Sequence, residues 1–128
     1  MRAKLVRTAG PGGEAILEIA GREYRVRDGF SWSVEHAPSV GGDFEVELSA
    51  EVDDSWSWEQ MFGANPERKI GLEPLDGYAY LAFGRIASID PVCIDCGLLV
   101  EQRAIYSRDP RVIGEFVGFR IQVVDAEG

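Results

Sequence analysis

Histidine is almost missing from this chain of 128 residues: His36 is the only one. Cysteine is almost as scarce, with Cys93 and Cys96 alone. Two cysteines three apart make no disulfide framework, and with one histidine and no second CxxC they complete no zinc set. Long apolar runs are missing too. No uncharged stretch approaches the about 20 residues that cross a bilayer. The opening MRAKLVRTAG has no apolar core of the kind a secretory signal needs. A cytoplasmic protein without a membrane partner is therefore expected. Positive charge is in deficit, with 13 Lys and Arg against 22 Asp and Glu, a net charge of −9. Such a chain repels a phosphate backbone, so any nucleic-acid site has to use a local basic patch.

Glycine and proline are plentiful, at 15 and six. They predict many turns and hence many short strands. The length suits one domain over residues 1–128, large enough to bury one core. The charge is segregated along the chain. Residues 1–27 carry six basic side chains against Glu14, Glu18 and Glu23, whereas residues 28–76 carry twelve acids against Arg68 and Lys69. Residues 77–128 have five arginines against seven acids.

Alternation of apolar and polar residues places the strands. Residues 1–9 read as a strand that ends at the turn Gly10-Pro11-Gly12-Gly13. Leu17 and Ile19 alternate with Glu18, and Tyr24 and Val26 alternate with Arg25 and Arg27. Between them Ala20-Gly21 predicts a tight hairpin, with Glu18 and Arg25 as a candidate cross-strand pair. Residues 30–34 fit a short strand. Residues 43–52 show the cleanest period of two: Phe44, Val46, Leu48, Ala50 and Val52 on one side, and Glu45, Glu47, Glu51 and Asp53 among the residues on the other.

Helical signals appear only over residues 55–70. Ser57 and Gln60 form a capping box, and Trp58, Met61 and Phe62 share a face, with Trp56 placed to staple onto Met61. Asn65-Pro66-Glu67 offers a second cap and first turn. The chain then returns to strands at 78–89, 92–100 and 113–124. Gly84 marks an expected bulge or bend in the first of these, and Asp90-Pro91 is the turn that follows it.

Gly84-Arg85-Ile86, Asp95-Cys96-Gly97 and Gly114-Glu115-Phe116-Val117 resemble the second half of an OB-fold barrel. The resemblance covers residues 84–125 and rests on turn glycines. It implies a mainly β, Greek-key barrel of six or seven antiparallel strands with one or two short helices. It also implies a face for oligonucleotides or oligosaccharides, and carries over no catalytic residue. The chain as a whole looks like a small bacterial protein.

The candidate chemistry is sparse. Cys93 and Cys96 sit on a stretch read as strand, where residues three apart face opposite ways, so they are expected to be structural. His36 lies in a turn-rich loop with no nucleophile to serve. Carboxylates about 6–7 Å apart along one strand face do not converge on an ion, so no metal and no cofactor is expected. Two surfaces are left. The carboxylate row Glu45, Glu47, Glu51 and Asp53 suits a basic protein partner met by a monomer. Trp32, Tyr78 and Tyr80, with Arg85, could stack on bases or sugars. The first expectation is a non-enzymatic interaction module of the inhibitor or immunity kind. The alternative is a binder of single-stranded nucleic acid or oligosaccharide.

Overall fold

A computed structural model of the chain describes residues 1–33, 35–103 and 107–128. Its strands are β1 (Arg2–Thr8), β2 (Glu14–Ile19), β3 (Arg22–Asp28), β4 (Asp43–Glu45), β5 (Glu47–Val52), β6 (Gly71–Pro74), β7 (Tyr80–Ile89), β8 (Val92–Asp95), β9 (Val100–Arg103) and β10 (Phe116–Glu127). One α-helix, α1 (Trp58–Gly63), and a 3-10 turn at Pro110–Val112 complete the regular structure of the described residues. All ten strands belong to one sheet, curled into a half-barrel.

The first register is set by Ala20 and Gly21, both left-handed at φ 52° and 80°. That geometry is the two-residue turn whose twist matches paired strands. It puts Leu17 opposite Tyr24 and Ala15 opposite Val26, all buried. It also puts Glu18 opposite Glu23, so the expected Glu18–Arg25 pair does not form. Arg25 instead reaches Glu14, with Nε and Oε1 3.5 Å apart.

β10 is the spine. One of its edges pairs antiparallel with β7 over residues 116–121 and then, at Asp125 and Ala126, parallel with β3. It also pairs antiparallel with β5 over residues 121–127. The sheet is therefore mixed, where purely antiparallel pairing was expected, and has ten strands where six or seven were expected. The single strand expected over 43–52 is two. Residues 43–45 pair with β1, and the exchange of backbone hydrogen bonds between Met1 and Val46 (2.8 and 2.9 Å) extends that ladder by one residue. From Glu47 onward the partner is β10. Followed from strand to strand, the pairings run β10, β3, β2, β1, β4 and, through the bend at Val46, back by β5 to β10.

Inside the curl, Leu5, Leu17, Val26, Phe119 and Ile121 are fully buried. Burial of each such side chain is worth about 1.5–3 kcal/mol relative to exposure. Asp28 is buried among them and fully employed. It accepts hydrogen bonds from the amides of Phe30 and Ser31 (both 2.9 Å), from the Ser31 hydroxyl (2.7 Å) and from the Thr8 hydroxyl. These contacts turn the chain away after β3, and residues 30–33 form no strand; Val34 lies outside the described residues.

Residues 55–70 contain one helix. Ser57 and Gln60 form the expected capping box, and Met61 points fully into the core. Trp56 and Trp58 pack on the core's flank. The second helical turn does not continue, because Asn65 makes a closed loop instead. Its Oδ1 accepts from the Lys69 amide at 2.8 Å, and its Nδ2 donates to Lys69 O at 2.9 Å and to Val117 O at 3.1 Å. β6 follows at once, paired with β7.

The strand expected over 92–100 stops at Asp95, turns through Cys96–Leu99 and resumes as β9, and the last strand begins at Phe116. Gly84 is not the bulge. The register of β7 against β8 shifts between Ile86 and Ser88. A Cβ on Gly84 would lie 2.6 Å from the Asp95 carbonyl oxygen and 2.7 Å from Ile94 Cγ2, so the glycine lets β8 approach.

Candidate binding cleft

The four carboxylates singled out in the sequence do not form one free row. Glu45 lies 3.5 Å from both the Met1 ammonium and Arg2 Nη1. Glu51 accepts from Arg27 Nη2 at 2.8 Å, and the same guanidinium donates to Asp125. These two partners hold Arg27 protonated well beyond the ordinary arginine range. Asp53 accepts from the amide and hydroxyl of Ser55 at 2.9 and 2.6 Å, closing the turn before α1. Glu47 faces another acid, Glu127, across the sheet.

The aromatic candidates are likewise dispersed. Trp32 is 72% exposed, beside Gly12 of the first turn. Tyr80 is 2% exposed and has no ring face to offer. Its hydroxyl accepts from the Arg25 amide and donates to the Arg25 carbonyl, both at 2.8 Å. Tyr78 is half-buried, and its carbonyl accepts from the Val124 amide at 3.2 Å.

Arg85 lines a cleft of about 600 Å³, whereas Glu45 and Glu47 line a hollow of about 290 Å³ and Tyr80 one of about 210 Å³. β7 pairs with β10 so that Arg85 stands opposite Phe116 and Phe83 opposite Gly118. Alternation along both strands puts these four positions on one face, away from the core. The loop that Asn65 closes covers half of this face. Ala64 sits on Gly118, where a Cβ would be 3.0 Å from Ala64 Cβ, and the Lys69 ammonium lies 5.2 Å from the Phe83 ring centre. The other half is open, as a cleft of about 600 Å³ lined by Ile70, Arg85, Ala87, Asp95, Ile113 and Phe116, among others. A smaller hollow of about 210 Å³ lies between Ile16, Arg25 and Leu75.

Apolar walls, one cation and one acid, Asp95, line the cleft. Ile70 and Ile113 remain 50% and 48% exposed on its two sides. Arg85 Nε donates to Gly114 O at 3.3 Å. Its cross-strand neighbour Asp95 directs Oδ1 to the Gly97 amide instead, at 2.9 Å. Arg68, at a left-handed φ of 57°, holds its guanidinium 5.9 Å from the Phe116 ring centre.

Of these lining groups the sequence pointed to Arg85 alone. Ile70 and Ile113 each precede a left-handed glycine, Gly71 and Gly114. A bulky β-branched residue immediately ahead of a glycine was the available signal. Phe116 was concealed as an ordinary apolar residue at a strand start.

The remaining candidates do not converge on chemistry. His36 is exposed, with its amide donating to Ser33 O. Both cysteines are free, Cys93 half-buried and Cys96 buried. Burial pushes the Cys96 thiol up to about 12. The Asp109 carboxyl, gripped by the Arg111 guanidinium, is pulled down to about 2. Among the described residues no group of three His, Cys, Asp or Glu could hold a metal ion, and no helix is long and apolar enough to cross a membrane. No family model matches the chain, and neither does any curated protein or solved structure.

Proposed function

We propose that the chain is a non-enzymatic binding module that engages a protein partner, and that the Arg85 cleft is the engaging surface. The observation that carries this reading is an open apolar cleft of about 600 Å³ with a guanidinium at its side. Exposed isoleucines flanking a partly buried aromatic are the composition expected of a protein-binding patch. The acidic-surface version, an inhibitor-like module for a basic protein, draws on Glu45, Glu47, Glu51 and Asp53. It is weakened by the internal partners of Glu45 and Glu51.

The circular order of pairings through β1, β2, β3, β10 and the β4–β5 run, with β3 parallel to β10, resembles that of an OB-fold barrel. On this reading β1–β5 and β10 form the barrel and residues 53–115 are inserted into it, instead of the barrel's second half lying at 84–125. An OB-type ligand face lies over its second and third strands. Here the outer positions of β2 and β3 carry Glu14, Ile16, Glu18, Glu23, Arg25 and Arg27, so those positions offer no stacking aromatic for bases or sugars, and the exposed Trp32 stands beside Gly12 of the β1–β2 turn.

The test is selection of peptides from a random display library on the immobilised chain. Selected peptides should lose at least about tenfold in affinity to the exposed-site variant Ile113→Glu, the loss expected when a charge enters an apolar contact. Indifference to Ile113→Glu together with loss on Glu47→Lys would move the site to the acidic surface.

A further inference from the structure

We infer that Arg85 is the anchor of this cleft for a carboxylate, presented by an acidic side chain of a protein segment next to a large apolar one. The inference rests on the cleft being the binding surface.

The chain is rich in acids, and five of its described arginines pair with one of them. Arg2 reaches Glu45, Arg7 and Arg25 reach Glu14, Arg27 reaches Glu51 and Asp125, and Arg111 reaches Asp109. Arg85 is exposed, yet among the described residues it reaches no carboxylate. Asp95 stands next to it in register but is turned to the Gly97 amide.

The guanidinium is nevertheless held. Its Nε is tied to the Gly114 carbonyl, and a Cβ at Gly114 would come 3.2 Å from Nη2. A fork fixed at Nε has two terminal nitrogens left for a planar oxygen pair, the geometry in which arginine binds carboxylates most strongly.

Around this cation the walls are apolar at Ile70, Ala87, Ile113 and Phe116; the one acid among them, Asp95, has its Oδ1 engaged by the Gly97 amide. Arg68 adds a second guanidinium, on the Phe116 ring, also without a carboxylate partner among the described residues. Charge complementarity therefore selects a negatively charged group, and the walls select a branched or aromatic neighbour for it. A basic segment is disfavoured by both guanidinium groups.

A peptide obtained by the library selection above is compared with a copy in which its acidic residue is replaced by the corresponding amide. Affinities for the wild-type chain and for Arg85→Gln and Arg85→Lys are measured by fluorescence anisotropy. On the wild type the amide copy should bind about tenfold to a hundredfold more weakly, the range for a charge-assisted hydrogen-bonded pair. On Arg85→Gln the two peptides should bind equally, and Arg85→Lys should restore part of the difference. An equal loss on wild type and Arg85→Gln places the carboxylate elsewhere and overturns the inference. So does equal binding of both peptides to the wild type when Ile113→Glu still abolishes it, an outcome that leaves the cleft as the binding surface. A library that yields no peptide sensitive to Ile113→Glu removes both the anchor and the cleft reading.

Discussion

Tyr80 shows how much a single polar atom does in this molecule. β3 meets β10 only at Arg27 and Asp28, so the Arg25 backbone on that edge has no strand to pair with. The Tyr80 hydroxyl satisfies both its N–H and its C=O. Tyr80→Phe removes both hydrogen bonds at this part-buried edge and should lower unfolding free energy by about 1–3 kcal/mol in urea titration. In the sequence this residue looked like a stacking aromatic, because nothing local says that its partner lies at Arg25. The two cysteines do not share one strand as their spacing suggested: Cys93 is half-buried in β8, and Cys96 is buried in the turn that follows it. Cys93 should react with a thiol reagent in the folded protein, and Cys96 only after denaturant is added. The Cys96 thiol, with its folded pKa raised from 9.0 to about 12, stays protonated where the unfolded chain ionises. Its contribution is therefore fully present below pH 9 and lost as pH rises from 9 toward 12, by about 1.4 kcal/mol per pH unit at most. Cys96→Val should flatten that part of the wild-type stability curve.

Single elements follow local rules wherever the rules are local. The hairpin of β2 and β3 was legible because Ala20-Gly21 sits between two alternating runs, and the α1 cap was legible because Ser57 and Gln60 are three apart. Ala20 nevertheless adopts a backbone that L-alanine disfavours. Ala20→Asn should raise stability by about 0.5–1 kcal/mol in thermal denaturation, since asparagine tolerates that conformation and favours this turn. Gly84→Ala tests the opposite case. The added methyl would meet the Asp95 carbonyl and Ile94, so it should cost about 1–3 kcal/mol, with the loss seen as a lower urea midpoint. The break at Val46 was illegible, because alternation passes through it undisturbed while the partner strand changes. β6 was illegible for another reason: Gly71-Leu72-Glu73-Pro74 is short, ends in proline and pairs with β7 as its only described partner.

At the scale of the whole molecule the net charge of −9 and the Arg85 cleft pull in opposite directions. An acidic segment is repelled at a distance and held at contact. Its association rate should therefore rise as salt is added from low ionic strength, because screening removes the long-range repulsion. A basic partner on the acidic surface should show the reverse, and stopped-flow rates at two salt concentrations separate them. Mainly β architecture was legible from turns and alternation. The cleft was not, since it is assembled from Ile70, Arg85 and Ile113, residues far apart in the chain that are brought together only when β7 meets β10.

The position of β10 in the chain sets the order in which the protein can be completed during synthesis. β3, β5 and β7 all find a partner in β10, yet all three leave the ribosome before it does. Until Phe116–Glu127 emerges, a nascent chain carries three strand edges in search of the same missing strand. Those edges can recruit one another, or a neighbouring chain on the same message, and a truncation before residue 116 would leave them permanently in that condition.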